Sequence, residues 1–207
     1  MTQRKTVGIL IFDNVEELDF IGPYEVFNSV RLDEEKRREE PSPFRTLLVA
    51  EKTDIIRANG GLRVIPEVTT EECPKLDILL VPGGWGTRRE IGNERLQAWI
   101  AARAAEAETV TSVCTGALLL GKAGVLNGRR ATTHWKSLGW LRESCPEVTV
   151  EERLRVVRDG NIVTSAGISA GIDLALLVVA SYFGEDLARA TARHMEYRYP
   201  EDNERRI

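Results

Sequence analysis

Thr109-Val110-Thr111-Ser112-Val113-Cys114-Thr115-Gly116-Ala117-Leu118-Leu119-Leu120 decides the architecture. A β-branched run ends at Val113, one thiol follows, and small residues lead at once into an apolar stretch. β-Branched residues favour extended backbone, so Thr109 to Val113 is expected as a strand and Thr115 to Ala123 as a helix leaving it. Cys114 then occupies the sharp turn between them, the pattern of a nucleophile elbow. Small neighbours are needed because such a turn brings backbones together. A helix N-terminus also directs free N–H groups and partial positive charge at the sulfur, lowering a thiol pKa from its usual ~8.5. The competing reading is a core cysteine that packs as a small hydrophobe.

Working outward, short apolar runs alternate with helical patterns, the signature of βα units around a mostly parallel sheet. Val7 to Phe12 does not alternate and reads as a strand buried on both faces. Asp19 to Arg31 reads as a helix, with Gly22-Pro23 in its first turns, where proline is tolerated. Arg45 to Ala50 and Asp77 to Val81 are further strands, and Asn93 to Ala107 is a helix with one apolar face. Arg155 to Ser165 reads as a hairpin turning at Asp159-Gly160. Two helices follow, Ala170 to Phe183 and Glu185 to Met195. Arg31 to Glu40 mixes both charge signs and reads as a solvated helix end, and Glu40-Pro41-Ser42-Pro43 as a loop. The tail, Glu196 to Ile207, is polar and is expected either to pack on a partner subunit or to be disordered.

At 207 residues the chain suits one large domain, residues 1–207, and its 43% hydrophobic and 29% charged shares are those of an ordinary globular protein. A net charge of -4 argues against a nucleic-acid surface. No apolar run approaches the roughly 18 residues needed to span a bilayer. Met1 to Thr6 leads straight towards a strand without a signal-peptide core. The expectation is a cytoplasmic protein that touches neither membrane nor nucleic acid. Cys73, Cys114 and Cys145 fit no zinc spacing, and two histidines are too few for a multi-histidine site. No metal and no cofactor are expected, and the thiols are read as free. Cys73 and Cys145 each precede a proline in loop-like surroundings and read as bystanders.

A second loop, Val81-Pro82-Gly83-Gly84-Trp85-Gly86, follows a strand and so lies at the carboxyl edge of the sheet, where open α/β folds place ligands. Glycines there free N–H groups to face a developing anion. A plain turn is the alternative. The glycines do not follow the dinucleotide spacing.

These two loops, together with Leu18-Asp19-Phe20-Ile21-Gly22-Pro23-Tyr24-Glu25-Val26-Phe27, Ala131-Thr132-Thr133-His134-Trp135 and Ser165-Ala166-Gly167-Ile168-Ser169-Ala170-Gly171-Ile172-Asp173, resemble the ThiJ/PfpI branch of the class I glutamine amidotransferase-like superfamily. The resemblance covers nearly the whole chain in the family's order, and the strings look most like those of isonitrile hydratases. Ligand-binding halves of some transcription regulators carry almost the same strings. The resemblance implies a flavodoxin-like three-layer α/β/α sandwich, a homodimer, and an acidic residue, here Asp19, reaching the elbow sulfur. A helix N-cap is the ordinary alternative for Asp19. Protease-like members carry histidine directly after the cysteine; Thr115 stands there in this chain, which counts against a peptidase. His134 either lines the pocket or is a packed structural histidine, and His194 is expected at the surface. Asp173 is read as organising a helix start.

The expected chemistry is hydration of a small electrophile, with Cys114 as nucleophile, Asp19 as general acid/base and Thr115 binding the reacting atom. Gly83, Gly84, Trp85, His134, Ile21 and Ile168 are expected to bind substrate. The leading substrate is an isonitrile; dicarbonyl adducts, as in glyoxalase or deglycase enzymes, are the second. A sensor domain without turnover is the reading from another class.

Overall fold

Ile78-Leu79-Leu80-Val81 carries no polar residue because both of its faces are covered. In the computed structural model, which describes residues 4–205, this strand lies at the middle of a seven-stranded sheet. The chain runs β1 (Lys5–Leu10), α1 (Glu17–Ser29), β2 (Phe44–Ala50), β3 (Ile56–Arg57), β4 (Arg63–Val64), β5 (Val68–Thr69) and β6 (Ile78–Val81). It continues through α2 (Thr87–Glu90), α3 (Glu94–Glu106), β7 (Thr109–Val113), α4 (Gly116–Lys122) and β8 (Arg130–Ala131). A 3-10 turn (Trp135–Ser137), α5 (Leu138–Ser144), β9 (Thr149–Val150), β10 (Val156–Asp159), β11 (Ile162–Ser165), α6 (Ala170–Phe183) and α7 (Glu185–His194) complete it.

The sheet order is β10-β11-β7-β6-β1-β2-β5, parallel throughout except for β10. Helices α1, α6 and α7 pack together on one face and α3, α4 and α5 on the other. This is the expected flavodoxin-like α/β/α sandwich. Burying both faces explains why β6 and β7 are buried at every position. At about 1.5–3 kcal/mol for each fully buried large apolar side chain, this central layer supplies much of the driving force for folding. The outer edge of β10 is not open. Asn203 brackets Val156 with two hydrogen bonds, and Arg130 N–H donates to Asp159 at the strand's other end.

The structure corrects several expectations. Helix α1 starts at Glu17, so Pro23 lies in its interior and leaves the Asp19 carbonyl without its usual helical donor. The hairpin turns on Gly160-Asn161, with Gly160 at φ +63°. Arg31 to Glu40 forms turns, not a helix end, and Lys36 and Arg37 pair with acids within the same run. Cys145 caps the unforeseen α5 and is buried. The tail packs on its own chain through residue 205; Arg206 and Ile207, like Met1 to Gln3, lie outside the described residues.

Candidate active site

Cys114 follows the last residue of β7 and precedes Thr115, the N-cap of α4, as the sequence pattern requires. Its backbone lies in the left-handed region at φ +56°, a conformation costing about 1–3 kcal/mol in a residue other than glycine. Such strain persists only where neighbours hold it. The Cys114 N–H donates to the carbonyls of Ser165 (3.3 Å) and Ala166 (3.1 Å), and the Thr133 hydroxyl donates to the Cys114 carbonyl at 2.6 Å. Glycine is obligatory beside it: a Cβ on Gly116 would overlap the Val81 carbonyl, and one on Gly83 would overlap the Thr115 nitrogen and hydroxyl.

Asp19 reaches the same point from α1. It is fully buried, and its Oδ2 accepts a 3.0 Å hydrogen bond from Gly83 N–H. Among the described residues, Oδ1 has no partner of ordinary hydrogen-bond geometry. Asp19 is not the N-cap; that position is Glu16. Loss of solvation pushes the Asp19 carboxyl well above the usual carboxylate range. The Gly83 N–H, the Cys114 thiol and the Ile168 N–H offset this only in part, while the negative charge of Glu16 adds to it. Burial likewise pushes the Cys114 thiol well up, helped by the charges of Asp19 and Glu16 and opposed by the Thr115 N–H and hydroxyl. The helix-terminus argument expected the opposite shift; desolvation outweighs it. Both shifts favour the protonated form of the group concerned.

The expected anion-facing duty of the glycines is not what the geometry shows. Gly83 N–H is engaged by Asp19, and Gly84 N–H donates to the Thr115 hydroxyl at 3.0 Å. Thr87 and Thr115 hydroxyls are 2.9 Å apart. The donors that face the sulfur belong to Thr115. Ile168 is brought to the site by its backbone N–H and is itself left-handed at φ +53°, with its side chain partly exposed. His134 is half-buried and packs so closely on Gly167 that a Cβ there would strike its ring; its Nδ1 accepts from Lys136 N–H and caps the 3-10 turn. Burial, with the charges of Lys136 and Arg205, holds its pKa below the ordinary value. Trp85 is exposed under the Arg88 guanidinium, 3.8 Å from its ring centre, and Ile21 lies about 200° round the α1 axis from Asp19, away from the elbow. Thr133 and Thr87 were not singled out from sequence; hydroxyls that brace a backbone carry no local spacing signal. Asp173 pairs with Arg155 at the start of α6, matching its structural reading, and His194 is partly exposed near Glu34.

A separate cavity of about 560 Å³ lies beyond the carboxyl ends of β1 and β2, against Arg89, Glu90 and Asn93. None of the residues lining it is a cysteine. Among the described residues, no group of three His, Cys, Asp or Glu side chains is placed to hold a metal, and no helix is long and apolar enough to cross a membrane.

The DJ-1/PfpI family pattern matches residues 5–181. The chain belongs to the DJ-1/PfpI family. The isonitrile hydratase of Pseudomonas putida is 39% identical over 191 residues, covering 92% of this chain and 78% of that protein. The HTH-type transcriptional regulator GbdR of Pseudomonas aeruginosa is 28% identical over 193 residues, 93% of this chain but only 51% of the regulator. A ThiJ/PfpI family protein from Pseudomonas syringae has the same fold, with a TM-score of 0.84 at 32% identity over 97% of this chain and 78% of that one. DJ-1/PfpI domains thus occur in proteins named as a hydratase and as regulators. The hydratase likeness supports a hydratase reading, and the site chemistry must carry the rest.

Proposed function

We propose that this DJ-1/PfpI domain is a cysteine-dependent hydratase that converts an isonitrile to an N-substituted formamide. The observation that carries the reading is the fully buried Asp19 carboxyl facing the Cys114 thiol, where burial favours its protonated form. An isonitrile carbon accepts a proton and a nucleophile at the same atom, and this pair offers both. Asp19 donates its proton to that carbon, the sulfur forms the S–C bond, and the thiol proton passes to the Asp19 carboxylate, giving a thioimidate with Asp19 protonated again. Asp19 then protonates the imine nitrogen while water attacks the carbon and returns a proton to the carboxylate. Collapse breaks the C–S bond as the sulfur takes a proton from Asp19 and the hydroxyl proton of the intermediate passes to the Asp19 carboxylate, so the formamide leaves with thiol and acid both protonated as at the start. Dividing the hydration into two steps through one acid/base is the usual gain of covalent catalysis. Thr115 N–H, facing the sulfur, stabilises charge that develops there.

The test is steady-state formamide production from a simple alkyl or aryl isonitrile, with mass spectrometry of the quenched enzyme. Turnover and a Cys114 adduct equal in mass to enzyme plus substrate support the reading. Absence of both at high enzyme concentration overturns it and favours ligand sensing, the role suggested by the regulator relatives, or dicarbonyl chemistry if lactate forms from methylglyoxal instead.

A further inference from the structure

The strained Cys114 is held from both sides by segments that are themselves held by the C-terminal tail. On one side runs a chain of backbone hydrogen bonds: Cys114 N–H to Ala166 carbonyl (3.1 Å), Ala166 N–H to Arg155 carbonyl (2.8 Å), Arg155 N–H to Asn203 carbonyl (2.9 Å). On the other, Thr133 donates to the Cys114 carbonyl, and the Arg205 guanidinium donates to the Thr133 carbonyl (3.1 Å), the Thr132 hydroxyl and the Glu152 carbonyl. The tail is anchored at its start, where the Tyr197 hydroxyl donates to Asp173 at 2.6 Å, and along its length, where Asn203 brackets Val156 and Arg205 N–H donates to the Arg153 carbonyl. These anchors lie beyond residue 181, where the family match ends.

We infer that Arg205 is a positioning residue of the elbow: its guanidinium fork fixes Thr132-Thr133, and through the Thr133 hydroxyl it holds Cys114 in the left-handed conformation that aims the sulfur at Asp19. A fork is required because three acceptors lie on one side chain's reach, a geometry that lysine, a point charge, does not reproduce. Arg205 has a second, separable effect, since its charge also bears on His134, which is otherwise faced by Lys136. The inference rests on Cys114 being a reactive thiol but not on isonitrile being the substrate.

The test therefore reads the thiol directly. Alkylation of Cys114 by iodoacetamide is followed by peptide mass spectrometry, and the His134 ring protons are titrated by NMR, in wild type, Arg205→Ala, Arg205→Lys, Thr133→Val and the Arg205→Ala/Thr133→Val double variant. Releasing the brace admits water to a thiol whose pKa burial and the charges of Asp19 and Glu16 hold high. Alkylation at neutral pH is expected to rise at least about threefold in Arg205→Ala, Arg205→Lys and Thr133→Val. The double variant should show little more than either single change, because both break one chain of contacts. The His134 pKa should rise in Arg205→Ala and stay near wild type in Arg205→Lys. Unchanged alkylation in Arg205→Ala, or effects that multiply in the double variant, overturns the inference. Loss of the native fold in Arg205→Ala leaves Arg205→Lys and Thr133→Val to decide it on the same criteria.

Discussion

Cys114 and Cys145 are both free and both buried, at 7% and 5% exposure, and burial raises the pKa of each thiol. Their surroundings otherwise part company. Cys145 caps α5 in an unstrained conformation, φ −135°, and its sulfur packs so tightly on Gly121 that a Cβ there would overlap it. Among the described residues, the charge that bears on it is the cation Lys122. Cys114 stands in a left-handed turn, with an acid on one side and the donors of Thr115 on the other. Burial of a thiol is therefore common to both; what separates them is the left-handed backbone at Cys114 and the buried acid beside its sulfur, the two features on which the proposed nucleophilic role rests.

Substitution of the two cysteines gives the largest expected contrast. Cys114→Ala should reduce formamide formation by at least about a thousandfold, and Cys145→Ala should leave it within about twofold while lowering stability by about 1 kcal/mol. Comparable activity losses in both would break the distinction.

The acid can be removed next. Asp19→Asn should lower kcat by about a hundredfold or more and, by deleting a neighbouring negative charge, move the Cys114 alkylation midpoint to lower pH while that of Cys145 stays put. Asp19 also marks stability. An acid whose pKa is higher in the folded than in the unfolded chain stabilises the fold fully below the ordinary carboxylate pKa of about 3.9, and loses that contribution as pH rises through the raised value. Other carboxylates act in the opposite direction, so the informative quantity is the Tm difference between Asp19→Asn and wild type, which should move in favour of the variant as pH rises across that window. A difference that does not change with pH would show that the Asp19 pKa is not raised by folding.

Two glycines, one at the elbow and one in α5, give the smallest effects. Gly83→Ala, forced against Thr115, should cost about 1–3 kcal/mol and slow turnover. Gly139→Ala, in α5 with open space around it, should stabilise by about 0.4–1 kcal/mol without touching activity. Thermal melts paired with rate assays separate the two.

Much of this site was legible because its parts obey local rules. The run from Thr109 to Ala117 dictated strand, turn and helix, and the unbroken apolar strands announced a sheet covered on both faces. Asp19 was assigned to the sulfur by resemblance, and the structure brings it there. What escaped is what depends on the folded neighbourhood. The duties of Gly83 and Gly84 reversed because Asp19 and Thr115 take up their N–H groups first. Helix α5 was missed because Leu141 is its one buried residue, too weak a periodic signal. The direction of the Cys114 shift was missed because a helix terminus can be read from sequence whereas the depth of desolvation cannot. The contacts of the tail escaped because Asn203 and Arg205 bond to backbone groups some fifty to seventy residues away in sequence.

The two ends of the sheet have a consequence for how copies of this molecule can meet. An unpaired strand edge is a template for adding another strand, the route to edge-to-edge polymerisation. Here one end is β5, only two residues long, and the other is β10, whose outer rim is occupied by Asn203 at one end and Arg130 at the other. Among the described residues these features shorten the open edge at both margins, which disfavours strand-to-strand addition as a route to fibres built on this sheet.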